Sequence, residues 1–234
     1  MHFTPDTLTA VFFVCLVFLL ALRARALSPG ALWRCGLALW LLLLLLELCK
    51  QLLALSRGSY TTALLPFHYS STFYLTMLLS LLPRTSHFGS CTTFVGGFFL
   101  LLATLGAPRA VLGDTALALT DFAHFHALFY HVGVLLFFAV LCTTARYRPQ
   151  RGDAWRYLAF LLSWGAVALP AARRTGNNYA GLLRSYIPVL ERVRLRYGDG
   201  VYLFLYALLA QLLACLLLRG LTLAHRTRLT RALK

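Results

Sequence analysis

Acidic, basic and amide side chains lie close together inside a long apolar stretch of this sequence. Glu47, Lys50 and Gln51 are three and four positions apart, so a helix would present all three on one face. Glu47 can pair with Lys50, which lowers the cost of a charge in hydrocarbon, roughly 3 kcal/mol for a lone Lys or Asp at a helix centre. This arrangement fits a binding or proton-carrying site, and equally an internal strut or a pair near the helix end.

A second polar group follows Pro66 and consists of His68, Ser70 and Ser71. On a helix, His68 would share a face with Ser71, and Ser70 would point to a neighbouring face. Pro66 would free a backbone carbonyl, and a weakened turn beside an imidazole and two hydroxyls can hold a nucleophile and its base. The same side chains can instead hydrogen-bond to neighbouring membrane helices.

Histidines form a third group, with His124 and His131 seven positions apart and His126 between them. His124 and His131 would share a helix face, with His126 rotated from His124 by roughly 200°. This is not the H-x-x-x-H spacing of a zinc helix, so no metal is predicted, and proton transfer or hydrogen bonding is favoured. Because P-loop, G-x-S-x-G and dinucleotide glycine patterns are also missing from the sequence, we predict no cofactor.

The elements that carry these groups are identified by composition. The 234 residues are 60% hydrophobic and 12% charged, with a mean hydropathy of +0.74, whereas about a quarter of the residues in a soluble domain are charged. Residues 41–46 are consecutive leucines, which leaves no polar helix face there. We therefore predict an all-α, polytopic membrane helical bundle in which Gly96 and Gly97 allow another helix to approach closely.

A membrane-spanning helix needs about 20 apolar residues, and we predict seven spans in one integral membrane domain covering residues 1–234. The predicted spans are residues 7–24, 34–55, 61–82, 88–107, 122–145, 154–172 and 200–219. The loop arginines place the N-terminus outside and the C-terminus inside. They also account for the net charge of +15, so the predicted partners are membrane lipids rather than nucleic acid. The sequence predicts no dedicated protein partner.

A long basic loop, residues 173–199, is the exception to this charge distribution. Its arginines lie on the face that the positive-inside rule leaves poor in cations, and they are Arg173, Arg174, Arg184, Arg192, Arg194 and Arg196. The mixed apolar and basic pattern of residues 179–193 suggests an interfacial helix broken at Pro188. Such a segment can be a lid, contact lipid head groups or simply adhere to the membrane surface.

Several of these motifs, taken in order, resemble the YwaF family of bacterial integral membrane proteins, which is related to the eukaryotic transmembrane protein 164. The resemblance covers roughly residues 35–219. It rests on residues 47–51, the Leu65-Pro66-x-His68 element, His131 and the Thr175-Gly-Asn-Asn178-Tyr179 motif.

This resemblance implies a seven-helix fold whose eukaryotic branch transfers fatty acyl chains between phospholipids, using a cysteine near the third span together with a histidine. His68 and His131 are the matching histidines here. Ser70 stands where typical bacterial relatives have the cysteine of Leu-Pro-Leu-His-Leu-Cys. A serine needs an adjacent base to remove its proton, so this difference either changes the type of nucleophile or signals lost activity.

We therefore predict an acyltransferase-like enzyme of the bacterial cell membrane that acts on phospholipid. Ser70 or Ser71 would be the nucleophile and His68 or His131 the base. The predicted substrate-binding residues are Glu47, Lys50, Gln51, His126, Asn178, Tyr179 and Arg184. One alternative is a small-solute or ion transporter with a path through Glu47, Lys50 and His131. Another is a non-catalytic membrane protein with a vestigial site.

Overall fold

The computed structural model describes residues 5–144 and 146–232, with side chains for residues 6–144 and 146–223. The secondary structure of this part of the chain is helical, and it contains no strand. The α-helices are α1 (Pro5–Ala24), α2 (Pro29–Ser56), α3 (Thr72–Leu81), α4 (Ser86–Gly106), α5 (Pro108–Leu112), α6 (Phe122–Thr143), α7 (Asp153–Thr175), α8 (Pro188–Tyr197) and α9 (Asp199–Ala232). Short 3₁₀ turns lie at Thr62–Leu64, Tyr69–Ser71 and Tyr179–Gly181. The all-α prediction is confirmed.

In the described part of the chain, five helices are long and apolar enough to cross a membrane, namely α1, α2, α4, α6 and α9. Each coincides with a predicted span, because an uninterrupted apolar run of this length has few alternatives to a helix. The sixth predicted span coincides with α7, which has 23 residues. This helix also carries Asp153, Arg156, Arg173 and Arg174 and is not among the five.

The third predicted span, residues 61–82, is wrong as a continuous helix, since only Thr72–Leu81 is α-helical. Leu65 has φ −61° and ψ 145°, an extended conformation. The cause is local, because the ring of Pro66 disfavours the α conformation for the preceding residue and removes a backbone donor. The helix face predicted to join His68 with Ser71 therefore does not form.

Pro188 was predicted to break an interfacial helix, and this is wrong, because Pro188 lies at the beginning of a helix. It occupies the first turn of α8, where the missing N–H costs nothing because no intrahelical carbonyl would accept it. Residues 179–187, predicted to belong to this helix, contain only the 3₁₀ turn at Tyr179–Gly181. The predicted long loop thus contains a 3₁₀ turn at Tyr179–Gly181 and a short helix at Pro188–Tyr197.

The chain forms two compact units, and unit 1 contains the residues up to Tyr60 together with Phe73–Tyr147. Helix α6 is its centre and packs against α1, α2, α4 and α5. A Cβ atom on Gly97 of α4 would lie 2.6 Å from Cβ of Phe138, so α4 and α6 are in close contact there. This confirms the predicted close approach at Gly97. The indole N–H of Trp40 donates to the carbonyl of Tyr74 at 2.7 Å and links α2 to α3.

Unit 2 contains Thr61–Thr72 and the chain from Arg148 onward. Helices α7 and α8 both pack against α9. Gln211 of α9 donates to the carbonyl of Ala154 in α7 at 2.9 Å. Tyr202 and Tyr206 of α9 donate to the carbonyls of Gly181 and Ala180, so α9 also holds the turn that follows α7.

Candidate functional site

The first group of predicted site residues assembles around the Glu47 carboxylate in unit 1. Lys50 Nζ lies 2.7 Å from Glu47 Oε2, and Gln51 Nε2 donates to Glu47 Oε1 at 2.6 Å. Both bonds follow from the helical spacing of three and four residues. The side chains of Lys50 and Glu47 are only 20% and 17% exposed, so the predicted pair is largely withdrawn from its surroundings.

Two further helices bring polar groups to the same carboxylate. The Tyr74 hydroxyl of α3 donates to Glu47 Oε2 at 3.1 Å. His126 of α6 is buried, and its Nε2 lies 2.9 Å from Oε2. The direction of this approach does not satisfy hydrogen-bond geometry, so the contact is mainly one between charges when the imidazole is protonated. One carboxylate thus joins α2, α3 and α6.

Aromatic rings enclose this cluster. The ring of Tyr130 is stacked on His126 with centroids 5.6 Å apart, contacts Tyr74 at 4.8 Å and meets the edge of His131 at 5.2 Å. Tyr74 and Tyr130 were not among the predicted site residues. Tyr130 follows His126 by four residues, a spacing that places both on one helix face. A tyrosine inside an apolar span also needs a partner for its hydroxyl, which was the available signal for Tyr74.

The other two predicted histidines are engaged locally. His131 Nδ1 contacts the carbonyl of Ala127, one turn earlier in α6, at 2.8 Å. His124 Nδ1 accepts a hydrogen bond of 3.0 Å from the backbone N–H of Asp114 and fixes the connection between α5 and α6. Among the described side chains, those of residues 6–144 and 146–223, no three His, Cys, Asp or Glu groups come together so as to hold a metal ion.

The second group lies in unit 2, where side chains hold the non-helical segment around Pro66. Tyr179 is fully buried, and its hydroxyl donates to the carbonyl of Thr62 at 2.6 Å. Asn177 Nδ2 donates to Thr62 Oγ1 at 2.8 Å, and the Trp164 indole donates to the carbonyl of Phe67 at 3.2 Å. Backbone carbonyls that an α-helix would satisfy internally are therefore satisfied by α7 and the residues that follow it.

His68, Ser70 and Ser71 share one tight turn in this segment. His68 precedes the 3₁₀ turn, and its carbonyl accepts the backbone N–H of Ser71 at 3.0 Å. The His68 ring meets the ring of Tyr179 edge-on, with centroids 5.1 Å apart. The intervening Tyr69 is anchored by a hydroxyl contact of 3.0 Å with Tyr157 of α7. The contacts of His68 and Tyr69 thus hold the turn, and they fix the backbone positions from which the serine hydroxyls and the imidazole extend.

Asn178 organises the loop that carries Arg184. Its Oδ1 accepts the backbone N–H groups of Leu183 and Arg184 at 2.9 and 3.0 Å, and its Nδ2 donates to the carbonyl of Arg184 at 2.8 Å. Ala180 adopts a left-handed conformation, with φ 48°, within the enclosed turn. The Arg184 side chain is exposed. Asn178 therefore acts on the backbone, and Arg184 is the residue of this loop that can meet an anion.

Outside the apolar helices, two carboxylates have lowered pKa values. At Glu191, hydrogen bonds from Arg194 and then from the backbone N–H of Ser185 lower the pKa to about 2. The same ion pair raises the pKa of Arg194. Asp121 caps α6, and the backbone N–H groups of His124 and Ala123 lower its pKa. These groups fix local structure at helix ends.

The predicted site residues thus fall into two sets. Unit 1 holds the substrate-binding candidates Glu47, Lys50, Gln51 and His126, and also His131. Unit 2 holds His68, Ser70, Ser71, Asn178, Tyr179 and Arg184. Contacts within each unit bring together Glu47 with His126 and His68 with Tyr179.

A chain whose described residues form helices and no strand, with five apolar helices of spanning length among them and charged groups gathered inside one unit, is an integral membrane protein. The model of the TMEM164 family matches residues 2–222, and the chain belongs to the TMEM164 family. This agrees with the resemblance to transmembrane protein 164, while the narrower YwaF assignment stays a prediction. Comparisons with curated proteins and with solved structures gave no match.

Proposed function

We propose that this chain is an acyltransferase-like membrane enzyme that acts on phospholipid, and that the segment around Pro66 carries its nucleophile. The observation that supports this most is the loss of α-helical backbone at His68, Ser70 and Ser71, within an otherwise apolar stretch. Non-helical backbone at membrane depth is tolerated only where it is buried in protein or lines a cavity. The bonds from Tyr179, Asn177 and Trp164 maintain that conformation.

The proposed chemistry needs only groups of this turn. The hydroxyl oxygen of Ser70, or of Ser71, attacks the ester carbonyl of a phospholipid while His68 accepts the hydroxyl proton. The ester C–O bond breaks, and the proton passes from His68 to the departing lysophospholipid oxygen. A hydroxyl of a second lysophospholipid then attacks the acyl-serine, and His68 accepts its proton. Transfer of that proton to the departing serine oxygen regenerates the enzyme.

Two neighbouring residues have supporting parts in this proposal. Tyr179 positions His68 through the contact of their rings and through its bond to Thr62. Arg184 is exposed and presents the planar guanidinium that best matches a phosphate group. The Nδ1 atom of His131, the other candidate base, contacts the backbone carbonyl of Ala127, whereas His68 lies in the same turn as both serines. We therefore assign the base to His68.

We also propose that the chain crosses a bacterial cell membrane seven times, with its N-terminus outside and its C-terminus inside. Helix α7 has 23 residues, so at 1.5 Å per residue it is about 35 Å long, enough for a hydrocarbon core of about 30 Å. The third crossing would run from Thr61 to Leu81, where non-helical backbone covers more distance per residue than an α-helix. The loop arginines favour this orientation.

The test is transfer of an isotopically labelled acyl chain from phosphatidylcholine to a lysophospholipid by the purified chain in liposomes. We expect transfer to fall to background in a Ser70→Ala, Ser71→Ala double variant and in His68→Ala. Ser59→Ala changes an exposed serine and should leave transfer unchanged. In Ser70→Cys we expect transfer that becomes sensitive to a thiol-alkylating reagent. Full transfer by the double variant would contradict the assignment.

A transporter is the second candidate, and the contact between Glu47, Lys50 and His126 favours it. Charged groups inside a membrane bundle frequently belong to ion or proton paths. In proteoliposomes, a transporter should show solute flux that depends on pH and is lost in Glu47→Gln. Absence of flux across a broad panel of solutes would exclude it. If no activity of either kind is found, the vestigial-site hypothesis predicts that substitutions in both groups change stability alone.

A further inference from the structure

Unit 1 contains a cavity of about 530 Å³ that has no part in the proposed acyl transfer. It lies where α1 and α6 end, where α2 begins and where α3 gives way to α4. Its volume is in the range of small-molecule sites, roughly 300–1,000 Å³. Because all of its lining residues belong to one unit, the cavity is a property of that unit alone.

The cavity wall is mainly aliphatic and is open on the side of α1. Leu39, Leu136 and Val140 are among the aliphatic side chains that line it. Leu20 and Leu27 also line it, and they are 49% and 41% exposed. In a membrane, an exposed leucine of a spanning helix, such as Leu20, faces hydrocarbon, so an acyl chain can enter sideways from the bilayer without crossing water.

The polar groups of the cavity are of two kinds, a pair of serines bonded to each other and an exposed arginine. Ser80 and Ser90 form a hydroxyl pair with oxygens 2.7 Å apart, so each hydroxyl keeps a hydrogen-bond partner when an apolar chain covers them. Arg146, by contrast, is exposed at the end of the cavity near the loops. Its Nη2 donates to the carbonyl of Pro29 at 2.7 Å, and this bond orients the guanidinium. His87 lines the same end.

We propose that this cavity binds a single-chain anionic amphiphile, with its acyl chain along the leucines and its carboxylate or phosphate at Arg146. Charge complementarity supports an anionic head group, because a fixed guanidinium binds carboxylate and phosphate in a planar, two-bond geometry. The volume corresponds to one drug-sized ligand and suits one acyl chain rather than two. Neither His68 nor Ser70 lines the cavity, so its binding can be tested whether or not the chain is an acyltransferase.

The experiment uses the full chain in nanodiscs of zwitterionic phosphatidylcholine and measures binding directly. The probes are a photoreactive fatty acid, a photoreactive lysophosphatidic acid and, as the neutral comparison, a photoreactive fatty alcohol of equal chain length. We expect the two anionic probes to label peptides of α1, α2 or α6 that line the cavity, with saturation and with competition by the unlabelled ligand. Comparison of labelling by the fatty acid with labelling by the lysophosphatidic acid distinguishes a carboxylate from a phosphate head group. Inorganic phosphate alone should not compete.

Two pairs of variants locate the site. Leu32→Trp fills the cavity and should abolish saturable labelling, whereas Leu41→Trp changes an exposed leucine of the same helix outside the cavity and should not. Arg146→Gln should weaken binding of the anionic probes about tenfold and leave the alcohol unaffected. Arg84→Gln, at an exposed arginine outside the cavity, should change neither.

Two results would overturn the proposal. Equal labelling of Leu32→Trp and the unsubstituted chain would mean that the probes report only the lipid-facing surface. Equal affinity for the alcohol and the anions would contradict the role of Arg146. Because the readout is binding, a His68→Ala variant should behave like the unsubstituted chain, and failure of acyl transfer leaves this result unchanged.

Discussion

Glu47 of α2 and His126 of α6 lie against each other in unit 1, with His126 Nε2 2.9 Å from Glu47 Oε2. The same carboxylate is bonded to Lys50, Gln51 and Tyr74. Groups from three helices thus depend on one charge in a largely apolar setting. Loss of that charge should disturb the packing of α2 against α6 as well as any path for ions or protons.

Glu47→Gln should therefore destabilise unit 1 more than the loss of one hydrogen bond would. It leaves the ammonium of Lys50, which is 20% exposed, without its counter-charge. We expect a loss on the order of 2 kcal/mol in the free energy of unfolding, since an uncompensated charge costs more than an unmade neutral bond. The measurement is unfolding of the purified protein by sodium dodecyl sulphate, followed by circular dichroism.

The double variant Glu47→Gln, Lys50→Met is the matched test of this explanation. Removing both charges should recover part of the stability lost in Glu47→Gln, which gives a coupling energy of about 0.5–3 kcal/mol. If the losses in Glu47→Gln alone and Lys50→Met alone add up to the loss in the double variant, the ion pair contributes nothing measurable and Glu47 acts through other contacts.

Tyr179→Phe tests whether side-chain bonds hold the segment around Pro66. The substitution removes the donor to the Thr62 carbonyl and keeps the ring that contacts His68. We expect unit 2 to lose about 1–3 kcal/mol, because a buried carbonyl loses its partner. Tyr197→Phe, at a tyrosine that is 59% exposed, is the control and should be neutral. Faster amide exchange at residues 62–72 in Tyr179→Phe alone would locate the effect.

Prediction from sequence succeeded where the evidence was local. The pair of Glu47 with Lys50 depends only on helical spacing, and α6 depends only on an uninterrupted apolar run. Glu47 and His126 were both predicted as substrate-binding residues, but their direct contact depends on the rotation of α2 relative to α6, which no single-helix pattern contains. Tyr74 was missed for the same reason.

The prediction failed at residues 61–71 because apolar composition was given more weight than backbone restriction. Pro66 forces Leu65 into an extended conformation, and the carbonyls left open are satisfied by residues far along the chain, Trp164 and Tyr179. Because these partners satisfy its carbonyls, an apolar segment can remain non-helical at this position. At Pro188 the error was opposite in direction, because a proline was taken as a break where it begins a helix.

Close helix contacts in unit 1 predict a graded response to Gly→Ala substitutions in α4. A Cβ at position 89 would lie 2.1 Å from the backbone nitrogen of Ser80, and one at position 97 would lie 2.6 Å from Cβ of Phe138. Backbone can shift less than a side chain, so Gly89→Ala should lower the free energy of unfolding more than Gly97→Ala does. We expect each substitution to cost about 1–3 kcal/mol or more. Gly106→Ala meets open space and should change stability by less than about 0.5 kcal/mol. Equal stability of all three variants would contradict the packing of α4.

The ion pair between Glu191 and Arg194 in α8 predicts how the stability of this helix changes at acid pH. Glu191 has its pKa lowered to about 2 from a usual value of 4.5, by Arg194 first and then by the backbone N–H of Ser185. Because the pKa of the folded form is the lower one, the stabilisation is fully present above pH 4.5 and is lost as the pH falls through about 2. We expect the carboxyl carbon resonance of Glu191 to titrate near pH 2, and protection of the Ser185 amide to fall in the same range.

Arg194→Gln separates the contribution of the guanidinium from that of the backbone. It should move the titration of Glu191 upward, and loss of Ser185 protection should begin at a correspondingly higher pH. Arg192→Gln removes an exposed arginine of the same helix that is not among the groups holding down the pKa of Glu191, and it should leave the midpoint of the titration nearly unchanged. If both variants moved the midpoint equally, the shift would come from the general positive charge of residues 184–196. The specific pairing of Arg194 with Glu191 would then have no part in it.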